Sequence, residues 1–488
     1  MAGAGDGILE RAARWLEGRL GLSTPVLRPV PRYAINPFYW LGALTVVAFV
    51  IQGVTGVMMM LYYVPSPSQA YASTQYIFEN VSYGRFLETV HLYTAYAMIF
   101  LALMHFIRGY FVSVQKKPRE LMWVVGMVMG IVTLGFGFTG YLLPWSVVSK
   151  AATDVGVGMM AALPPQISSF VGFLIAGAGG DATELLHFYN LHVVVLPVIL
   201  LVLLAAKMYM LEAHGISEPA TGAPSEREGR PIPMFPDVTI YLFELAAVFG
   251  AAMMIISVLF PLNLPPQYSA QAAGSFVAQP DWYFLWIYQV LKISAFETAG
   301  LPVALTVVTA IFAAFFLLPF IDRGELRKVS HRPRYATLGL VFLGEWAILT
   351  VWGYLTPGQV ISNEEGLLVL GGTALLIALL SWAAFRLVYS RASGGLPRGK
   401  VEAPHSSGIR TTAAFCSLLA AGALSLGGVI DGAVNALGGS ASYSSLELVL
   451  VVASLAVVLL ATAFFLYGLE RSSGTLRRRI GWMEERWG

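Results

Sequence analysis

Two histidines, His91 and His105, stand fourteen residues apart inside one apolar stretch, GRFLETVHLYTAYAMIFLALMHFIRGYF. On an α-helix that separation is a rise of about 21 Å and a return to within about 40° of the starting face. Both imidazoles therefore point the same way, one near each surface of a bilayer whose apolar core is about 30 Å thick. A helix built so can give one axial ligand to each of two stacked haems. The competing reading is two unrelated buried histidines, each bonded to a neighbour. Ionisable groups within a membrane are costly and seldom idle, which weighs against it.

Glycines repeat the histidine interval in the two flanking apolar stretches, as Gly42 and Gly56 in the first and Gly126 and Gly140 in the third. A flat macrocycle lying against a helix needs a missing side chain at each level. With the orientation derived below, Gly56, His91 and Gly140 share an outer level, and Gly42, His105 and Gly126 share a cytoplasmic one. Small residues also serve plain helix packing in membranes. Two pairs at the histidine spacing fit packing alone poorly.

The elements that must position these residues follow from composition. Of 488 residues 57% are hydrophobic and only 12% charged, too few polar groups to cover soluble domains. Ten segments approach the length of about 20 apolar residues that crosses the hydrocarbon layer: 38–62, 86–111, 121–143, 184–211, 237–260, 301–320, 336–356, 365–389, 410–430 and 445–468. The expected fold class is all-α, a polytopic transmembrane helix bundle of about ten spans around a four-helix haem-binding core. The runs are too long and continuous for barrel strands.

Sorting the 30 basic residues between the two sets of loops leaves only Arg85 and Lys150 on one side, with Lys207 and Lys292 inside or beside apolar segments. The basic side, with both termini, is expected to be cytoplasmic in a multi-pass plasma-membrane protein. A net charge of +2 gives no reason to expect nucleic acid. The single cysteine, Cys416, excludes an internal disulfide and a thioether-attached haem. Four regions are expected: an interfacial helix in 1–30, the four-helix core in 31–225, a second region in 226–395, and in 396–488 a linker, two extra spans and a basic tail.

In order and spacing, several motifs resemble cytochrome b, the membrane core of the quinol-oxidising cytochrome bc complexes. They are Gln52 to Gly56, the His91/His105 helix, KKPRELMW (116–123), GYLLPW (140–145), LHVVVLP (191–197), PDWY (280–283) and Arg332–Pro333. KKPREL and HGISEP (214–219) are closer to the plastid and Gram-positive branch than to the mitochondrial one.

The resemblance implies His192 as partner of His91 on the outer, low-potential haem. It also implies a histidine fourteen or fifteen residues further on, and Lys207 stands there instead. His187 is too near the outer surface, and His214 lies about 10 Å beyond Lys207 along the helix. The expectation is a His105/Lys207 axial pair on the inner haem, since a desolvated lysine gives up its proton more readily. The alternative is a lysine that snorkels to the basic surface. The resemblance places Arg108 against an inner propionate. At the outer haem the matching position is Glu88, with Arg85 the nearest base.

PDWY resembles the family signature of the outer quinol pocket, so Pro280, Asp281 and Tyr283, with Tyr141 of GYLLPW, are expected to meet quinol. Asp281 would accept a proton from it; its alternative role is to cap the following helix. The inner quinone site is not assigned beyond Asp237, near the start of the fifth span. Implied partners are a separate Rieske iron–sulfur protein, a cytochrome c, copper protein or terminal oxidase as acceptor, membrane lipid, and a second copy in a homodimer. A secondary transporter, or a haem-depleted structural subunit of an oxidase supercomplex, are the alternatives.

Overall fold

Seven of the apolar stretches form helices long enough to cross a membrane: α1 (Leu41–Met60), α2 (Gly84–Val112), α3 (Glu120–Leu142), α4 (Thr183–His214), α5 (Met234–Leu259), α7 (Pro333–Leu355) and α8 (Asn363–Ala383). A shorter apolar helix, α6 (Pro302–Phe316), lies between α5 and α7. The computed structural model describes Trp15, Arg19 and residues 28–393, apart from 162, 164, 176–180, 218–230, 278, 294–300, 325 and 328–331. The expected ninth and tenth spans, the linker before them and most of the N-terminal interfacial helix lie outside the described residues. Among the described residues there is no strand beyond isolated bridges, so the protein is an all-α polytopic bundle.

The sixth expected span, 301–320, is shorter than the sequence implies. Its helix stops at Phe316, and a separate turn, Leu318–Ile321, carries Pro319 in its first positions. Proline has no amide hydrogen to donate back to residue 315. The Phe315 carbonyl instead accepts from Trp123 Nε1 at 2.9 Å, which ties α3 to α6. Helices Val147–Ala161 and Pro165–Ile175 fill the connection between α3 and α4. Neither was evident as an element from hydropathy.

α1 packs along α2, α3 along α4, and α2 against both α3 and α5. Ala48, Met98, Val132 and Leu200 form a buried apolar cluster, joined by Phe49, Phe136 and Leu196. In the sequence these four fall close to the midpoints of the Gly42–Gly56, His91–His105, Gly126–Gly140 and His192–Lys207 intervals. A dry layer thus separates the two ligand levels. Outward faces of α4 and α5 expose Val198, Val202, Phe243 and Val248, a surface suited to lipid rather than water.

At the expected cytoplasmic end, a buried ionic staple joins the front of the chain to α7. Asp322 accepts from Lys116 Nζ at 3.0 Å and Gln115 Nε2 at 3.1 Å, and from Arg332, which also donates to Ser113. Two of the motifs quoted above, KKPRE and Arg332–Pro333, thus meet at one carboxylate. Arg119 donates to the His214 carbonyl at 2.9 Å and fixes the end of α4.

Candidate functional site

In the structure each of the four spaced glycines lies beside one of the four candidate ligand side chains. A Cβ built on Gly56 would lie 3.5 Å from His91 Cε1, and one on Gly140 only 2.6 Å from His192 Cε1. At the other level, a Cβ on Gly42 would lie 3.2 Å from His105 Cε1, and one on Gly126 3.0 Å from Lys207 Nζ. Each spaced glycine therefore faces one candidate ligand. Gly53 and Gly130, on the same two helices but off the interval, would meet nothing within 4 Å. Also off the interval, a Cβ on Gly137 of α3 would meet Ile99 and Tyr283 at 3.0 Å, the ordinary use of a small residue between helices.

His192 occupies a π-helical turn, Leu191–Val195, just before Pro197. The widened turn accommodates the missing proline amide, and such turns recur at functional positions. His91 and His192 have ring centroids 6.3 Å apart at 61°. Imidazoles bound to one metal from opposite sides, with bonds of about 2.0–2.1 Å and ring centres roughly 1 Å behind each nitrogen, have centroids about 6 Å apart. His91 Nδ1 lies 2.8 Å from Thr55 Oγ1 and His192 Nδ1 3.0 Å from Thr139 Oγ1, leaving Nε2 of each ring for a metal. Among the described residues no three His, Cys, Asp or Glu side chains cluster as a metal cage. Each level instead brings together two candidate ligands, His91 with His192 and His105 with Lys207.

At the inner level Lys207 lies close enough to His105 for electrostatic interaction. Its amine sits over Gly126, seven residues before the end of α4 at His214, and so points inward instead of snorkelling to the basic loops. Arg108 is 4% exposed and stacks on the Tyr39 ring at 3.9 Å. Its Nε and one terminal nitrogen have no protein partner, as expected of a guanidinium awaiting a carboxylate such as a propionate. Arg85, the nearest base to the outer level in sequence, is engaged elsewhere: it donates to the Leu262 carbonyl at 2.8 Å and to Asn263 Oδ1 at 2.7 Å. It straps down the uncharged loop that the sequence places before PDWY. Replacing Gly140 with Ala forces a Cβ onto the His192 ring. If the outer level holds a haem, that variant is expected to lose it, measured as haem content and as the spectrum of whatever haem remains.

The PDWY segment forms the third part of the site. Asp281 Oδ1 accepts from Tyr96 Oη at 2.9 Å and Oδ2 from Tyr283 Oη at 3.2 Å. Tyr141 lies close enough for electrostatic interaction with the carboxylate, and Pro280 is half-buried beside it. Helix Leu285–Leu291 is preceded by Phe284 and has no side-chain cap, so the carboxylate of Asp281 does not cap it. Burial pushes the Asp281 carboxyl above the usual aspartate range, opposed by the Tyr96 and Tyr283 hydrogen bonds. No motif in the sequence singles out Tyr96. Its signal would have been its place on α2, five residues after His91, but its contact lies 185 positions away. Asp237 is exposed at the start of α5, and among the described residues no hydrogen bond or ion pair of its side chain is found.

Comparison with known proteins agrees with this geometry. Family models described as cytochrome b/b6/petB and as cytochrome b (C-terminal)/b6/petD match residues 27–215 and 275–363. The chain is 30% identical over 344 residues to a cytochrome bc complex cytochrome b subunit of Chlorobaculum thiosulfatiphilum, covering 69% of this chain and 79% of that one. It is 32% identical over 410 residues to a cytochrome b of Sulfolobus acidocaldarius, covering 77% and 70% respectively. Over 210 residues it is 39% identical to cytochrome b6 of Heliobacterium mobile, covering 42% of this chain and 99% of that one. A solved structure described as a hyperthermophilic respiratory complex III shares the fold, with a TM-score of 0.57, 24% identity, and 77% of this chain and 95% of that one covered. With family models matching both halves and two relatives at 30% and 32% identity covered over more than two thirds of their length, the chain belongs to the cytochrome b family of the cytochrome bc complexes.

Proposed function

We propose that this chain is the di-haem cytochrome b subunit of a quinol-oxidising bc-type complex, with His91 and His192 as axial ligands at the outer level and His105 and Lys207 at the inner. The observation that carries this reading is the pairing of each interval glycine with one ligand side chain. Bound at these levels, haem supplies reversible one-electron transfer. The chain provides the ligands, the apolar layer between levels, and Arg108 as a carboxylate partner.

At the outer face, Asp281 takes a proton from a quinol hydroxyl while Tyr96 and Tyr283 hold its two oxygens. Tyr141 and Pro280 line the same pocket. Release of that proton outside contributes to the proton-motive force. One cysteine, Cys416, cannot supply the thiolates of an iron–sulfur cluster; in this reading the first electron leaves to a separate Rieske-type iron–sulfur protein. In this reading the complex is a homodimer in the plasma membrane with both termini cytoplasmic, and its acceptor is a cytochrome c, a copper protein or a terminal oxidase. Haem extraction from the purified chain tests the core of it. Two haems per chain are expected; one would point to a haem-depleted subunit, and none would overturn the di-haem reading.

A further inference from the structure

The two ligand levels differ in what holds their histidines. In each flanking helix the outer glycine is preceded by threonine, Thr55–Gly56 and Thr139–Gly140, whereas the inner ones are preceded by apolar residues, Leu41–Gly42 and Val125–Gly126. Adjacent helical positions are about 100° apart. A glycine can therefore leave room for a ring while its neighbour reaches the ring's edge.

At the outer level both hydroxyls do so. Each threonine has one hydroxyl proton. Thr55 gives its own to the Ile51 carbonyl at 2.7 Å, and Thr139 to the Gly135 carbonyl at 2.8 Å. Toward the histidines the oxygens then present lone pairs only, so at 2.8 and 3.0 Å Nδ1 must be the donor. A neutral imidazole with its proton on Nδ1 has its lone pair on Nε2. At the inner level, His105 Nδ1 is buried with no protein partner.

We propose that Thr55 and Thr139 are positioning residues that fix both outer imidazoles as Nδ1–H tautomers and, by accepting that proton's hydrogen bond, lower the reduction potential of the outer centre. The proposal rests on the di-haem reading. A hydrogen bond accepted from the far nitrogen of a metal-bound imidazole makes it a stronger base and favours the more positive metal. An electron arriving at the outer level is thereby biased inward, toward the level whose histidine lacks such a bond. The two threonines are not equivalent. Thr55 acts with Gln52, whose Nε2 donates to the His91 carbonyl at 2.5 Å, so one helix turn of α1 grips both the ring and the backbone of His91. The His192 imidazole also interacts with the Phe136 backbone, a second contact that His91 does not have in this form.

The test is a potentiometric titration of both centres in the full-length protein, after its haem content has been counted. Thr55→Val is expected to raise the outer potential by roughly tenfold in the reduction equilibrium, about 59 mV for one electron, with the inner centre unmoved. Thr139→Val should shift it less, and Thr55→Ser should restore the parent value. Loss of the outer haem from Thr55→Val with retention in Thr55→Ser would equally support a positioning hydroxyl. A Val variant that titrates like the parent, or a Ser variant that behaves as Val does, overturns the proposal. A parent protein without two haems overturns the di-haem reading and this proposal together.

Discussion

Quinol oxidation by Asp281→Asn is expected to fall by about 10²–10⁴-fold with both haems retained, the usual range for loss of a positioned general base. Asparagine keeps the shape of the side chain and leaves acceptor capacity for Tyr96 or Tyr283, so the pocket should persist while the proton acceptor is lost. The pH profile gives a second readout. Burial raises the Asp281 carboxyl above its ordinary range. As pH falls, the group therefore takes its own proton earlier than an exposed aspartate would and stops accepting one from quinol. The rate of the parent enzyme should decline on the acid side at a pH above the usual aspartate value, and this limb should vanish in Asp281→Asn. Steady-state quinol oxidation across pH checks both expectations. A variant as fast as the parent would remove Asp281 from the chemistry.

Lys207→Leu is expected to abolish the six-coordinate signature of the inner haem while leaving that of the outer haem intact, read by optical and paramagnetic spectra. Lys207→His should restore a six-coordinate inner centre with an altered ligand field. The amine has no ion-pair partner among the described residues. Removing an unpaired charge from a membrane interior should not destabilise the bundle. Thermal stability of the haem-free chain therefore separates the roles: a structural lysine would lower it on replacement, and a ligand would not. Unchanged inner-haem spectra in Lys207→Leu would sink the His105/Lys207 pair.

Most of the haem site was legible in the sequence because it is built along helices. Fourteen residues make nearly four turns, so His91, His105 and the four glycines sort into levels by arithmetic within single elements, and their contacts follow that sorting. The quinol pocket was half legible. PDWY marks Asp281 and Tyr283 by local motif, but Tyr96 joins them across 185 positions, where no periodicity reaches. Arg85 was recognisable only as a stray outer cation, and the loop that claims it comes 177 positions later.

By itself, the sequence determined the membrane class, the seven long described spans and the spacing that sorts two histidines and four glycines into two levels. These follow from hydropathy, charge and helical repeat, all local properties of the chain. Tertiary structure alone decided that Lys207 points inward, that Pro319 shortens α6 while Trp123 takes up the freed carbonyl, and that two threonine hydroxyls hold the outer imidazoles by Nδ1. Those outcomes depend on how each helix is rotated against its neighbours. That rotation is set by packing across the whole bundle and cannot be read from any one segment.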